Sequence, residues 1–169
     1  MTKPADVEDD SMNSQTKPPP ARIVGGIGAD QQFWDALGRG EFRLPRCAQC
    51  QRWYWPAHWR CGACGSWDFD WVEREARGVV YSWTRTWYAF DRIKERAEDV
   101  PYVVVLAEVA DSGGARVMGV LEGSEDGLRI GAAVVGSIRP PSLKSKGYPS
   151  IAWTLATEAS ADDEEERHA

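Results

Sequence analysis

Cys47-Ala48-Gln49-Cys50 and, ten residues further on, Cys61-Gly62-Ala63-Cys64 hold all four cysteines of the chain. Two residues between cysteines let one tight turn aim both sulfurs at a single ion. The ten-residue excursion lets a second turn return and complete a tetrahedron. Gly62 and Gly65 supply permissive backbone where the second turn is tightest. Thiolates favour soft or borderline cations, and with four sulfur ligands zinc leads, an iron site of the same geometry being the minor alternative. Four protein ligands leave no open position for water or substrate, so Cys47, Cys50, Cys61 and Cys64 read as a structural centre. His58 lies between the two turns and would be a fifth ligand, so a surface or packing role is expected for it.

Around this motif the composition changes. Five of the nine tryptophans, Trp53, Trp55, Trp59, Trp67 and Trp71, fall in or beside it. A unit this small builds little core of its own, so bulky rings are expected to bury area around the metal. Arg39, Arg43, Arg46, Arg52 and Arg60 face only Glu41 in charge. They either compensate the net charge of a tetrathiolate on a divalent ion or form an anion site for a phosphate-bearing ligand.

On the N-terminal side, Asp30 can cap a short helix carrying Phe33, Trp34 and Leu37 on one face, closed by Gly38 or Gly40. So short a helix is not stable alone and must dock on this chain or on a partner. On the C-terminal side the pattern turns strand-like from Gly78. Val79–Tyr88 alternates, with Val79, Tyr81, Trp83, Arg85 and Trp87 on one set of positions. A charged loop follows over 91–99, then strands over 102–110, 115–122, 133–139 and 150–156, with a turn at Ser112-Gly113-Gly114. A short helical turn is expected near Glu125–Leu128. Five strands with a small helical element between the third and fourth follow the order of an OB-fold barrel, with an open five-stranded sheet as the alternative. The expected fold is mainly β: a disordered leader over 1–21, a helical segment over 22–42, a rubredoxin-like zinc ribbon over 43–74, an OB-fold over 75–158 and an acidic disordered tail over 159–169.

The net charge of −6 comes from the two ends. Residues 1–21 and 159–169 hold nine of the 26 acidic residues and three of the 20 basic ones, which leaves 17 of each between Arg22 and Glu158. The folded part is electrically balanced, and the low pI says nothing about its partners. The first ten residues resemble neither a secretory signal nor an arginine-rich presequence. The longest apolar run, about 100–107, is too short to span a bilayer. Cysteines spaced for metal agree with a reducing compartment, so a cytoplasmic protein without a membrane is expected.

The order helix, Arg46-Cys47-x2-Cys50, Pro56, Cys61-x2-Cys64, Gly78-x-Val80-Tyr81-Ser82, Pro101-Tyr102-Val103-Val104 and Leu128-Arg129-Ile130-Gly131 resembles the zinc-ribbon/OB-fold family of small accessory proteins that assemble with thiolase-like enzymes. The resemblance spans roughly residues 30–157. It implies a non-catalytic subunit of a thiolase, thiolase-like aldolase or synthase acting on acyl-CoA thioesters, including aldolases of steroid side-chain breakdown. It also implies a heterotetramer with a dimeric enzyme, in which the accessory chain helps to hold or channel the acyl-CoA. Trp83, Arg85, Trp87, Tyr88 and Phe90, at the end of the first barrel strand and its loop, are the candidates for partner or acyl-CoA contact.

Two other function classes can be weighed. OB barrels often present aromatic faces to single-stranded nucleic acid, and Trp83, Trp87 and Tyr88 with a basic loop over 139–147 would serve. The balanced charge of the folded region argues against that alternative. An independent enzyme would need a nucleophile and a base placed together, and the chain offers no such pairing.

Overall fold

Phe33, Ala36 and Leu37 fall three and four residues apart, and the helix α1 (Gln31–Gly38) buries all three. The computed structural model describes residues 28–156; the leader expected over 1–21 and the tail over 159–169 lie outside the described residues. Asp30 stands at the N-cap, but its side chain makes no capping bond. Its Oδ2 instead accepts a hydrogen bond from Trp34 Nε1 at 3.0 Å, which ties the start of the helix to its own next turn.

After α1 come two antiparallel strands, β1 (Arg43–Cys47) and β2 (Phe69–Glu73), which pair from Arg43↔Glu73 to Cys47↔Phe69. The loops that carry Cys50, Cys61 and Cys64 lie between them. Five further strands follow: β3 (Arg77–Thr86), β4 (Tyr102–Val109), β5 (Arg116–Leu121), β6 (Ala133–Arg139) and β7 (Ser150–Leu155). They close into a barrel in the order β3-β4-β5-β7-β6, with β6 paired back onto β3. Every neighbouring pair is antiparallel except β5 and β7, which run parallel. This is a closed OB-type barrel rather than an open sheet. No helix among the described residues is long and apolar enough to cross a membrane.

The core is continuous across the two parts. Along β4, Val103, Val105, Ala107 and Val109 are buried in strict alternation, as period-two geometry demands of a strand with one face inside. They pack with Trp153 of β7, which is 0% exposed, and with Phe33, Leu37, Phe42 and Leu44 from the helix and β1. Trp153 fits because Gly119 faces it: a Cβ there would lie 2.5 Å from the Ile151 carbonyl oxygen and 2.8 Å from the indole. The apolar face of α1 is therefore covered by this chain itself.

Three expectations need correction. The first barrel strand runs over Arg77–Thr86, not Val79–Tyr88, and its alternation breaks at a bulge between Val80 and Ser82. Val80 pairs with Ala107, whereas beyond the bulge Trp83 and Arg85 pair with Val105 and Val103. The odd-numbered set thus changes face part-way along the strand. The helical turn expected at Glu125–Leu128 is a single turn closed by Leu128 N–H donating to Glu125 O at 2.9 Å. The charged loop, in contrast, forms a 3-10 helix over Asp91–Arg96.

Candidate functional site

The two cysteine turns are built alike. Cys47 N–H donates to Arg52 O and Cys61 N–H to Ser66 O, both at 2.8 Å. Gln51 N–H returns to Cys47 O and Gly65 N–H to Cys61 O, both at 2.9 Å. Each turn needs one residue with positive φ at the same place. Gly65 takes it at φ 79°, and Gln51 takes it at φ 61°. A side chain there is unfavourable, and Gln51 offsets this by donating from Nε2 to Ala48 O at 2.8 Å.

The turns bring all four sulfurs within 4.8 Å of one another. Cys47 and Cys64 Sγ are 3.6 Å apart, and Cys50 and Cys61 Sγ 3.5 Å apart. Sulfurs at ~2.3 Å from one ion would form a tetrahedron with edges of about 3.8 Å. The donor set therefore fits a four-coordinate cation. Cys47 and Cys61 are buried while Cys50 and Cys64 are exposed, so one side of the cluster faces the protein and the other faces solvent.

Electrostatics at the cluster point the same way. Tyr54 donates its hydroxyl to Cys61 Sγ at 3.1 Å, which holds that thiol down at about 5. The Cys50 backbone N–H lowers Cys47. Cys64 is pushed up to about 12: the Ser66 backbone N–H pulls it down, but desolvation and the neighbouring sulfurs of Cys61, Cys47 and Cys50 outweigh that pull. Crowded thiols thus shed their first proton readily and hold the last, and a divalent cation removes the conflict by displacing it.

The five tryptophans around the cluster divide into two groups. Trp53, Trp55 and Trp71 are partly buried against the shared core, and Trp59 and Trp67 are exposed. Packing follows the larger apolar surface, which belongs to the barrel. His58 is exposed and meets Tyr54 edge to face, with centroids 5.5 Å apart. Of the five arginines, Arg39 and Arg43 pair with Glu41. Arg46 lies 5.3 Å from the Trp53 ring centroid, and Arg60 braces the second turn by donating to Gly65 O at 2.9 Å. The guanidiniums of these four meet carboxylate, ring or carbonyl, Arg46 Nε is buried with no hydrogen-bond partner, and Arg52 is exposed.

Far from the cysteines in sequence, Trp83, Arg85, Trp87, Tyr88 and Phe90 gather at one end of the barrel. β6 leaves β3 after Val79, so the side of β3 that carries Trp83 and Arg85 opens to solvent beyond that point. Trp83 is 41% exposed, Trp87 70%, Tyr88 67% and Phe90 64%. The Arg85 guanidinium carbon lies 5.9 Å from each of the Trp83 and Trp87 ring centroids. Arg85 forms an ion pair with Glu125 of the β5–β6 loop, and Tyr88 meets Phe90 edge to face at 5.8 Å.

Comparison with known proteins places both parts of the molecule. Residues 34–70 match the ChsH2 rubredoxin-like zinc ribbon domain, and residues 71–139 match the ChsH2 C-terminal OB-fold domain. This chain belongs to the ChsH2 zinc-ribbon/OB-fold family. The "Probable enoyl-CoA hydratase alpha subunit" of Thermomonospora curvata is 33% identical over 124 residues, which are 72% of this chain. The match spans only 37% of that relative's length. Among solved structures, the Ltp2-ChsH2(DUF35) aldolase contains a chain that superposes with a TM-score of 0.64 at 26% identity. The match covers 80% of this chain and 100% of that one. A DUF35-family protein of unknown function from Sulfolobus solfataricus shares the fold, with a TM-score of 0.51 at 18% identity over 78% of this chain and 88% of that one.

For this ChsH2-family chain, two participants escape a reading of the sequence. Tyr54 carries no signal of its own, being one aromatic among several between the cysteine pairs. Glu125 is 40 residues from Arg85, and only barrel closure brings them together.

Proposed function

We propose that this chain is a non-catalytic accessory subunit of a thiolase-like aldolase or thiolase acting on acyl-CoA thioesters. One observation carries the proposal: the chain superposes on the whole of a ChsH2 chain that is named together with Ltp2 as an aldolase. The closed four-sulfur cluster supports it, because four protein ligands leave the ion no position for substrate. Zinc is the proposed ion, as the thiolate donor set favours it. The subunit docks ribbon and barrel on a dimeric enzyme in a two-plus-two assembly in the cytoplasm and closes one wall of its acyl-CoA entrance. Sterol side-chain degradation is the proposed setting.

A second reading rests on the hydratase name of the relative from Thermomonospora curvata, whose chain is longer than the matched part. On that reading the same module serves a hydratase. One experiment separates the two. The chain is co-expressed with a thiolase-like enzyme encoded beside it, and in parallel with a hydratase, and each product is resolved by size exclusion and assayed. Co-elution with the thiolase-like enzyme and a gain in its acyl-CoA turnover are expected. Separate elution with unchanged activity would sink the proposal.

A further inference from the structure

We infer that the aromatic end of the barrel, Trp83, Trp87, Tyr88 and Phe90 around the Arg85–Glu125 ion pair, is the face that seats an apolar, uncharged patch of the partner enzyme. The inference rests on the proposed accessory role and specifies its contact surface. Four large rings exposed within eight residues are far more than an isolated protein needs to leave in water. Tryptophan, tyrosine and arginine are also the side chains that carry most binding energy at protein interfaces.

Charge decides what kind of surface fits. Arg85, the cation among these rings, already has its carboxylate in Glu125. Closing an interface over the pair would strand any further charge brought against it, so the facing surface is apolar or neutral. The same bookkeeping disfavours a nucleic acid or an anionic lipid. Lys144 and Lys146 of the neighbouring loop are engaged with Asp99 at 2.5 Å and Glu95 at 2.6 Å, and residues 22–158 hold 17 basic against 17 acidic residues, while phosphate backbones require an excess of cations. Those two ion pairs also clasp the aromatic loop to the β6–β7 loop. A loop already held in place loses less freedom on docking.

The test measures affinity for the co-expressed thiolase-like enzyme by surface plasmon resonance, with the full-length wild-type chain and with Trp87→Ala and Phe90→Ala. Each variant should bind at least about 10-fold more weakly, with zinc content and melting temperature unchanged. Wild-type affinity should vary by less than about 3-fold between low and physiological salt, as expected where no net charge is neutralised. Wild-type binding that both variants retain in full overturns this inference and leaves the accessory role standing. Self-association abolished by Trp87→Ala, or salt-sensitive retention on an oligonucleotide column, also overturns it, by assigning the face to another occupant. A wild-type chain that binds no thiolase-like enzyme removes the accessory role itself, and this inference with it.

Discussion

Tyr54 shows how one hydroxyl tunes a cluster of four cysteines. Its donation to Cys61 Sγ fixes the orientation of a ligand and favours the thiolate. The sign of the pH effect follows. Cys61 sits at about 5 in the fold, below the ordinary thiol value of about 8.5. Its thiolate therefore contributes stability that is fully present above the ordinary value and is lost as pH falls through about 5. Tyr54→Phe should weaken zinc binding roughly 10- to 100-fold and raise the pH at which the metal is lost. Chelator competition at pH 7, followed by an acid titration of metal release, checks both. At this scale the clustering of the four cysteines was legible from spacing alone, since spacing is what lets two turns bring their sulfurs together. Tyr54 was not legible, because its role depends on where the intervening loop folds back. Gln51 was not either: nothing in its type announces the positive φ that Gly65 announces in the matching turn.

Among the elements, strands were easier to read than faces. Tyr102–Val109 has an unbroken apolar alternation and folds as such. The strand before it has an alternation just as clear on paper, but the bulge at Val80/Ser82 inserts a residue and carries Trp83 and Arg85 to the other face. A bulge has no strong sequence signature, so neither the strand's end nor its facing could be read without its partner strand. The charged loop over 91–99 looked structureless because it lacks apolar periodicity. It is ordered instead by the 3-10 helix and by the lysine clasps from the opposite loop. Surface ion pairs contribute little to global stability, with a median of about 0–1 kcal/mol each. The double variant Lys144→Ala/Lys146→Ala should accordingly change the melting temperature by only a few degrees. It should also speed amide hydrogen exchange across residues 87–99, as measured by mass spectrometry. Unaltered exchange in that segment would show that the clasp does not hold the loop.

For the molecule as a whole, the decisive feature is that ribbon, helix and barrel share one core. Leu44 belongs to the strand that leads into Cys47, yet it is fully buried with Val105 and Trp153 in the same cluster. The sequence placed a ribbon before a barrel, but it left open what the helix would dock against and how the ribbon tryptophans divide between metal and barrel. Both follow from tertiary contacts between segments distant in sequence, such as Trp34 with Tyr148 and Trp53 with Gly113. Leu44→Ala should cost about 2–5 kcal/mol and lower the single melting transition by roughly 2–4 °C per kcal/mol. Differential scanning calorimetry would reveal an independent ribbon as a second transition. Because the core is common, metal and fold should be lost together.

Stepwise titration of the purified chain with a mercurial thiol reagent, with zinc release and tryptophan circular dichroism followed in the same cuvette, tests that coupling most directly. One zinc per chain is expected, freed as four thiols react, with the tryptophan signal falling in parallel. A chain that carries no zinc, or that keeps its tryptophan signal after all four thiols have reacted, would contradict that expectation.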